Sequence, residues 1–158
     1  MNAARPPSPP GRGAGWVWAQ SVLMSALVAA GPVAPGAWHQ PAGVLAGTLL
    51  FAGAGVLGVV GVWQLGDNRT PFPRPRPGSR LIEGGVYGWV RLPLYVSVLL
   101  AGLGWAFLWQ SLPTLIVACL QLPFFTAKAR HEERWLREAF PGYAEYARRV
   151  KGFVPGLF

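Results

Sequence analysis

The chain has 158 residues, enough for one domain, and pairs a hydrophobic share of 52% with a charged share of only 13%, against about 25% charged in an average soluble domain. Its net charge is +8, but the basic residues gather at Arg5 and Arg12, from Arg69 to Arg91 and from Lys128 to Lys151, each group abutting an apolar run; that placement fits anionic lipid headgroups and leaves no nucleic acid partner to expect. The lone Cys119 excludes an intrachain disulfide and reads as a small buried apolar side chain, and His39 and His131 have no ligand spacing, so no metal site is expected.

No Asp, Glu, Lys or Arg occurs between Arg12 and Asp67, and none between Arg91 and Lys128. Uncharged stretches of that length read as membrane spans, since about 20 apolar residues cross a hydrocarbon core. Residues 1–15, rich in Pro, Gly and Ala, read as a disordered cytoplasmic tail ahead of a single membrane domain over 16–158. Spans are expected at about 16–33, 42–65, 94–110 and 112–127, the last two joined as a tight hairpin by Ser111-Leu112-Pro113. Trp105 and Trp109 suit the far membrane interface. Gly43, Gly47, Ala54, Gly58 and Gly61 fall near one face of the second span, where small residues favour close helix packing within the chain or in a homodimer. Between the second and third spans, Thr70 to Pro77 alternates prolines with other residues and favours an extended, polyproline-like path.

After the fourth span, Lys128 to Arg149 reads as charged interfacial helices interrupted at Pro141-Gly142, with Trp135, Leu136, Ala139 and Phe140 on the apolar side. The fold class is therefore all-α integral membrane, with about four transmembrane helices and cytoplasmic interfacial helices at the C-terminal end. Four spans put every Lys and Arg on one side, with both termini cytoplasmic.

Two polar segments, 79–95 and 128–150, are not needed by a connector between spans. Ser79 to Tyr95 crowds Tyr87, Trp89, Arg91 and Tyr95 together, and Lys128, Arg130, Glu132 and Glu133 follow the last span. Ionisable residues at a membrane boundary beside aromatics mark a candidate site. A carboxylate and aromatic faces suit a cation, and a lysine one helical turn away suits an anion. Serine–histidine or cysteine–histidine pairs, Walker loops and dinucleotide fingerprints are absent from the sequence.

Gly85-Val-Tyr-Gly-Trp-Val-Arg-Leu-Pro-Leu-Tyr95 resembles the G-x-Y-x-x-x-R-H-P-x-Y signature of the isoprenylcysteine carboxyl methyltransferase and phospholipid methyltransferase superfamily, small membrane enzymes that use S-adenosyl-L-methionine. Glu132-Glu133-x-x-Leu136, then Phe140-Pro-Gly-Tyr143-x-x-Tyr146 and Arg149-Val150, is similar to that family's C-terminal block. The resemblance implies that Ser79, Arg80, Leu81, Ile82, Tyr87, Leu92, Pro93, Leu94 and Tyr95 line the cofactor site and that Glu132 holds the cofactor's amino group. It places Lys128 where carboxyl-methylating relatives use a basic residue for substrate. The methyl acceptor it implies is lipidic or small and apolar, reached among membrane lipids. Methyl transfer from a sulfonium needs alignment and exclusion of water more than a strong acid or base. Only an amine acceptor must lose a proton, and Glu133 is the candidate to take it.

One position departs from the signature: its histidine is Leu92 here. A leucine neither donates nor accepts a hydrogen bond. If that histidine serves through its side chain, the chain is a non-catalytic binder of a lipid or partner protein. If the segment serves through backbone and shape, the leucine is tolerated.

Overall fold

In a computed structural model, residues 13–69 and 78–153 are described. The tail expected over 1–15, apart from Gly13 to Gly15, lies outside them, and so does the extended run expected over Thr70–Pro77. The elements are α1 (Ala14–Val33), α2 (Pro41–Leu65), α3 (Pro93–Trp109), α4 (Leu112–Ala139) and α5 (Tyr143–Arg149), with short 3-10 turns at Gly66–Asn68 and Gly85–Gly88. Among the described residues there is no strand, as the uncharged helical runs predict. Pro41, Pro93 and Pro113 stand in the first turns of α2, α3 and α4, where a missing N–H costs nothing.

Helices α1, α2 and α4 are long and apolar enough to cross a bilayer, and the chain is an integral membrane protein. Helix α3 is as apolar but has 17 residues, a rise of about 25 Å. It ends at Gln110, which takes a left-handed conformation (φ 49°, ψ 42°). The Ser111 hydroxyl then accepts the Thr114 N–H at 3.3 Å and caps α4, closing the expected hairpin.

Helix α4 joins the span expected to about residue 127 to the charged helix expected after it. It runs 28 residues to Ala139. No Gly or Pro separates Ala127 from Lys128, and Ala, Lys, Arg and Glu are strong helix formers, so the span and the charged helix fuse into one. Pro141 and Gly142 then separate it from α5, as predicted.

The small face of α2 is taken up inside the chain. Gly47, Ala54 and Gly61 are buried. A Cβ at Gly47 would lie 2.7 Å from the Leu108 N and 2.9 Å from the Gly104 O, so α2 and α3 meet backbone to backbone. Helix α1 lies against α3 and α4. A Cβ at Gly31 would meet the Trp109 and Trp105 rings at 2.6–2.9 Å, and Trp105 Nε1 donates to the Val28 carbonyl at 3.3 Å. Those two indoles are thus helix-packing groups as well as residues of the far end. Cys119 is exposed on the outer face of α4 rather than buried as expected; an apolar thiol is equally at home against lipid.

At the far end the connections are tied by hydrogen bonds. Gln110 accepts the Gln40 N–H at 3.0 Å and donates to the Gln40 carbonyl at 3.3 Å. The Gly36 and Ala37 amides donate to the Trp109 and Gln110 carbonyls at 3.1 and 2.7 Å.

Candidate active site

Between Gly78 and Leu92 the chain has almost no regular structure, so its backbone groups must find partners elsewhere. On one side the end of α2 supplies them. Asn68 accepts the Arg80 N–H at 3.1 Å and donates to the Arg80 carbonyl at 2.9 Å. Gln64 Oε1 accepts the Val86 N–H at 3.0 Å, and the Tyr87 hydroxyl donates to the Gly61 carbonyl at 3.3 Å. Gly85 is left-handed (φ 58°), and a Cβ there would fall 2.1 Å from the Gln64 amide, so only glycine fits this approach.

On the other side the C-terminal region supplies the rest. The Arg91 and Leu92 amides donate to the Lys151 and Gly152 carbonyls at 2.8 and 3.1 Å. The Tyr146 hydroxyl donates to the Tyr87 carbonyl at 2.6 Å, and Arg149 pairs with Glu83. Tyr143, Tyr146 and Val150 form a buried cluster joined by Leu81, Leu136 and Phe140. Burial above all pushes the Tyr146 phenol up to about 12, so it remains a neutral donor. Burial likewise raises the Tyr87 phenol.

These supports surround a cavity of about 380 Å³, within the range of small-molecule sites. Ser79 to Ile82, Tyr87, the Leu92–Tyr95 segment, Lys128 and Glu132 all border it. The segment before α3 and the charged end of α4, remote in sequence, thus share one chamber. The Tyr95 hydroxyl donates to Glu132 Oε2. Lys128 Nζ lies 5.3 Å from the centroid of the Tyr95 ring and donates to Gln20 Oε1. Neither Lys128 nor Glu132 forms an ion pair among the described residues, where the pairs are Arg91–Glu133 and Arg149–Glu83.

Glu133 is placed beside the cavity rather than on its wall. Its Oε1 is 2.9 Å from Arg91 Nη1. That contact is close but poorly aligned, and Arg91 Nη1 and Nε are buried without a hydrogen-bond partner among the described residues. Arg91 itself borders the cavity. Two other polar-segment candidates turn away: Trp89 is 79% exposed, and Arg130 is exposed on α4.

Several wall residues were not anticipated. Val17, Gln20 and Ser21 come from α1, Asn68 from the end of α2, and Phe140, Tyr143 and Tyr146 from the C-terminal region. Gln20 had one visible signal, an amide in an otherwise apolar run. Tyr143 and Tyr146 were noted in the C-terminal block without a role.

A family model described as phospholipid methyltransferase matches residues 42–142. A protein of Cupriavidus metallidurans named cobalt-zinc-cadmium resistance protein CzcN is 41% identical over 83 residues, 52% of this chain. The chain spans only 38% of that relative's length.

Proposed function

The chain belongs to the phospholipid methyltransferase family, and from that premise we propose that its cavity binds S-adenosyl-L-methionine and methylates a lipidic or small apolar acceptor. The cavity's chemistry suits that cofactor. Glu132 offers a carboxylate to an ammonium, and Arg91, which borders the cavity while paired with Glu133, keeps a buried Nε without a hydrogen-bond partner among the described residues as a donor for a carboxylate. Tyr87 and Tyr95 add aromatic faces beside which a sulfonium is favoured. When bound, the cofactor supplies an electrophilic methyl group.

The protein's own contribution is alignment and dryness. Tyr95 orients Glu132 by its hydroxyl. The tyrosine cluster and Leu81 close the cytoplasmic side against water. Lys128, at the membrane end, takes the acidic head of the acceptor. Glu133, paired with Arg91 beside the cavity rather than on its wall, would take the proton of an amine acceptor through an intervening water. Leu92 borders the cavity and its N–H is held by Gly152; this supports a role through backbone and shape, in which the leucine is tolerated. The one-sided distribution of the basic residues supports the reading that both termini are cytoplasmic, in a bacterial inner membrane.

The observation that carries this reading is the Tyr95–Glu132 pair on the same wall as Lys128, inside a chamber bounded by the signature segment. Isothermal titration of S-adenosyl-L-methionine into the protein in detergent tests it. Binding at micromolar to millimolar Kd is expected, and no heat from a folded sample overturns it. A second reading, a non-catalytic binder on the same frame, is favoured by Leu92 alone. Leu92→His separates the two: methyl transfer by the natural protein within about tenfold of the variant supports the enzyme, whereas transfer by the variant alone supports the binder.

A further inference from the structure

The family match begins at residue 42, so it assigns nothing to α1. Yet α1 brings Gln20 to the cavity wall, where its Oε1 accepts from Lys128 Nζ. Lys128 is 4% exposed. An ammonium so placed is costly unless its donors are satisfied. It has three N–H donors and no acceptor. Gln20 takes one, and the Tyr95 ring lies 5.3 Å away. No ion pair satisfies the remainder among the described residues. A lysine stem has four rotatable bonds and, unheld, would turn toward the headgroups. Glu132, one turn along the same helix, forms no ion pair with that tip among the described residues, and its carboxylate accepts from Tyr95 instead. The hold has to come from a neighbouring element.

We propose that Gln20 is a positioning residue: it fixes the Lys128 ammonium on the cavity wall and so sets where the acidic head of the methyl acceptor is held. This rests on the reading of the cavity as a methyltransferase site. The first helix is then part of the acceptor subsite as well as a span. The neutral amide matters: it holds the ammonium without cancelling the charge that an acidic head would meet.

A double-mutant cycle tests the proposal, with dodecanoate as the probe of the acidic subsite and dodecylamine as its control. Binding of each is measured by titration in detergent for the natural protein, Gln20→Leu, Lys128→Met and the double variant, beside S-adenosyl-L-methionine binding and thermal midpoints. The natural protein should bind dodecanoate and prefer it to dodecylamine. Gln20→Leu should weaken dodecanoate roughly tenfold, the scale of a hydrogen bond to a charged group, with the losses in cofactor affinity and thermal midpoint small beside it. In the Lys128→Met background, the same substitution should add nothing. A purely structural role would instead lower the midpoint and weaken both ligands in both backgrounds. Equal losses in the two backgrounds, no loss in either, or no preference for dodecanoate overturns the proposal. If dodecanoate follows the cycle while S-adenosyl-L-methionine fails to bind the natural protein, the methyltransferase reading falls and the positioning role stands.

Discussion

The two ends of the helix bundle solve opposite problems. At the end where α3 turns into α4, backbone meets backbone through Gly47 and Gly104, and Gln40 and Gln110 bind each other reciprocally. That end is solid. At the opposite end the same helices border a chamber of about 380 Å³ with Lys128 and Glu132 on its wall. The lesson is a division of labour. A hollow with unpaired charges is destabilising by itself, so the close packing that offsets it has to lie elsewhere in the same helices.

The most severe way to break this division is at the solid end. Gly47→Leu drives a side chain into the Leu108 N and the Gly104 O, where neither neighbour is a flexible tip. Overpacking costs about 1–3 kcal/mol or more, so a clearly lower yield of folded protein is expected, read as the monodisperse fraction in size-exclusion chromatography. Recovery equal to the natural protein would show that the two ends do not depend on this contact.

At the hollow end the expected pattern reverses: function fails while the fold persists. Glu132→Gln keeps the shape but removes the negative charge that Tyr95 orients. The cofactor Kd should rise at least tenfold, the scale of a lost charge-assisted hydrogen bond, with the thermal midpoint within a few degrees. A collapse of the midpoint would mean that Glu132 is structural.

The smallest effects sharpen the contrast. Asn68→Ala removes both side-chain bonds to Arg80 and should weaken cofactor binding several-fold, since each bond is worth about 1 kcal/mol. Gln110→Ala removes a comparable pair at the far end. It should lower the thermal midpoint by a few degrees and leave the cofactor Kd unchanged. Calorimetry and thermal scans on both variants check the pair; if each variant moves both quantities equally, the two ends are not separable.

Much of this was legible in the sequence, for reasons that differ by element. Uncharged runs bounded by Arg12, Asp67, Arg91 and Lys128 located the helices, because the bilayer tolerates no other pattern. The small face of α2 declared its own packing. The segment from Ser79 to Tyr95 stood out because its residues made no sense as a connector, and the two polar segments do meet. What stayed hidden was long-range. Nothing local announces that Lys151 and Gly152 would accept the Arg91 and Leu92 amides, or that Gln20 would reach Lys128. That the last span and the charged helix after it form one helix was also hidden, because hydropathy falls at Lys128 while helix propensity does not.

That uninterrupted α4 makes the spacing inside the site a ruler rather than a hinge. Lys128 and Glu132 are four residues apart on one helix, which sets their axial separation at about 6 Å whatever the loops do. Lengthening a loop cannot retune the gap between Lys128 and Glu132, and a single inserted residue between Pro123 and Lys128 would swing both side chains off the wall together by about 100°. On the proposed reading, the wall left to vary with the acceptor is the one formed by α1, through Val17, Gln20 and Ser21.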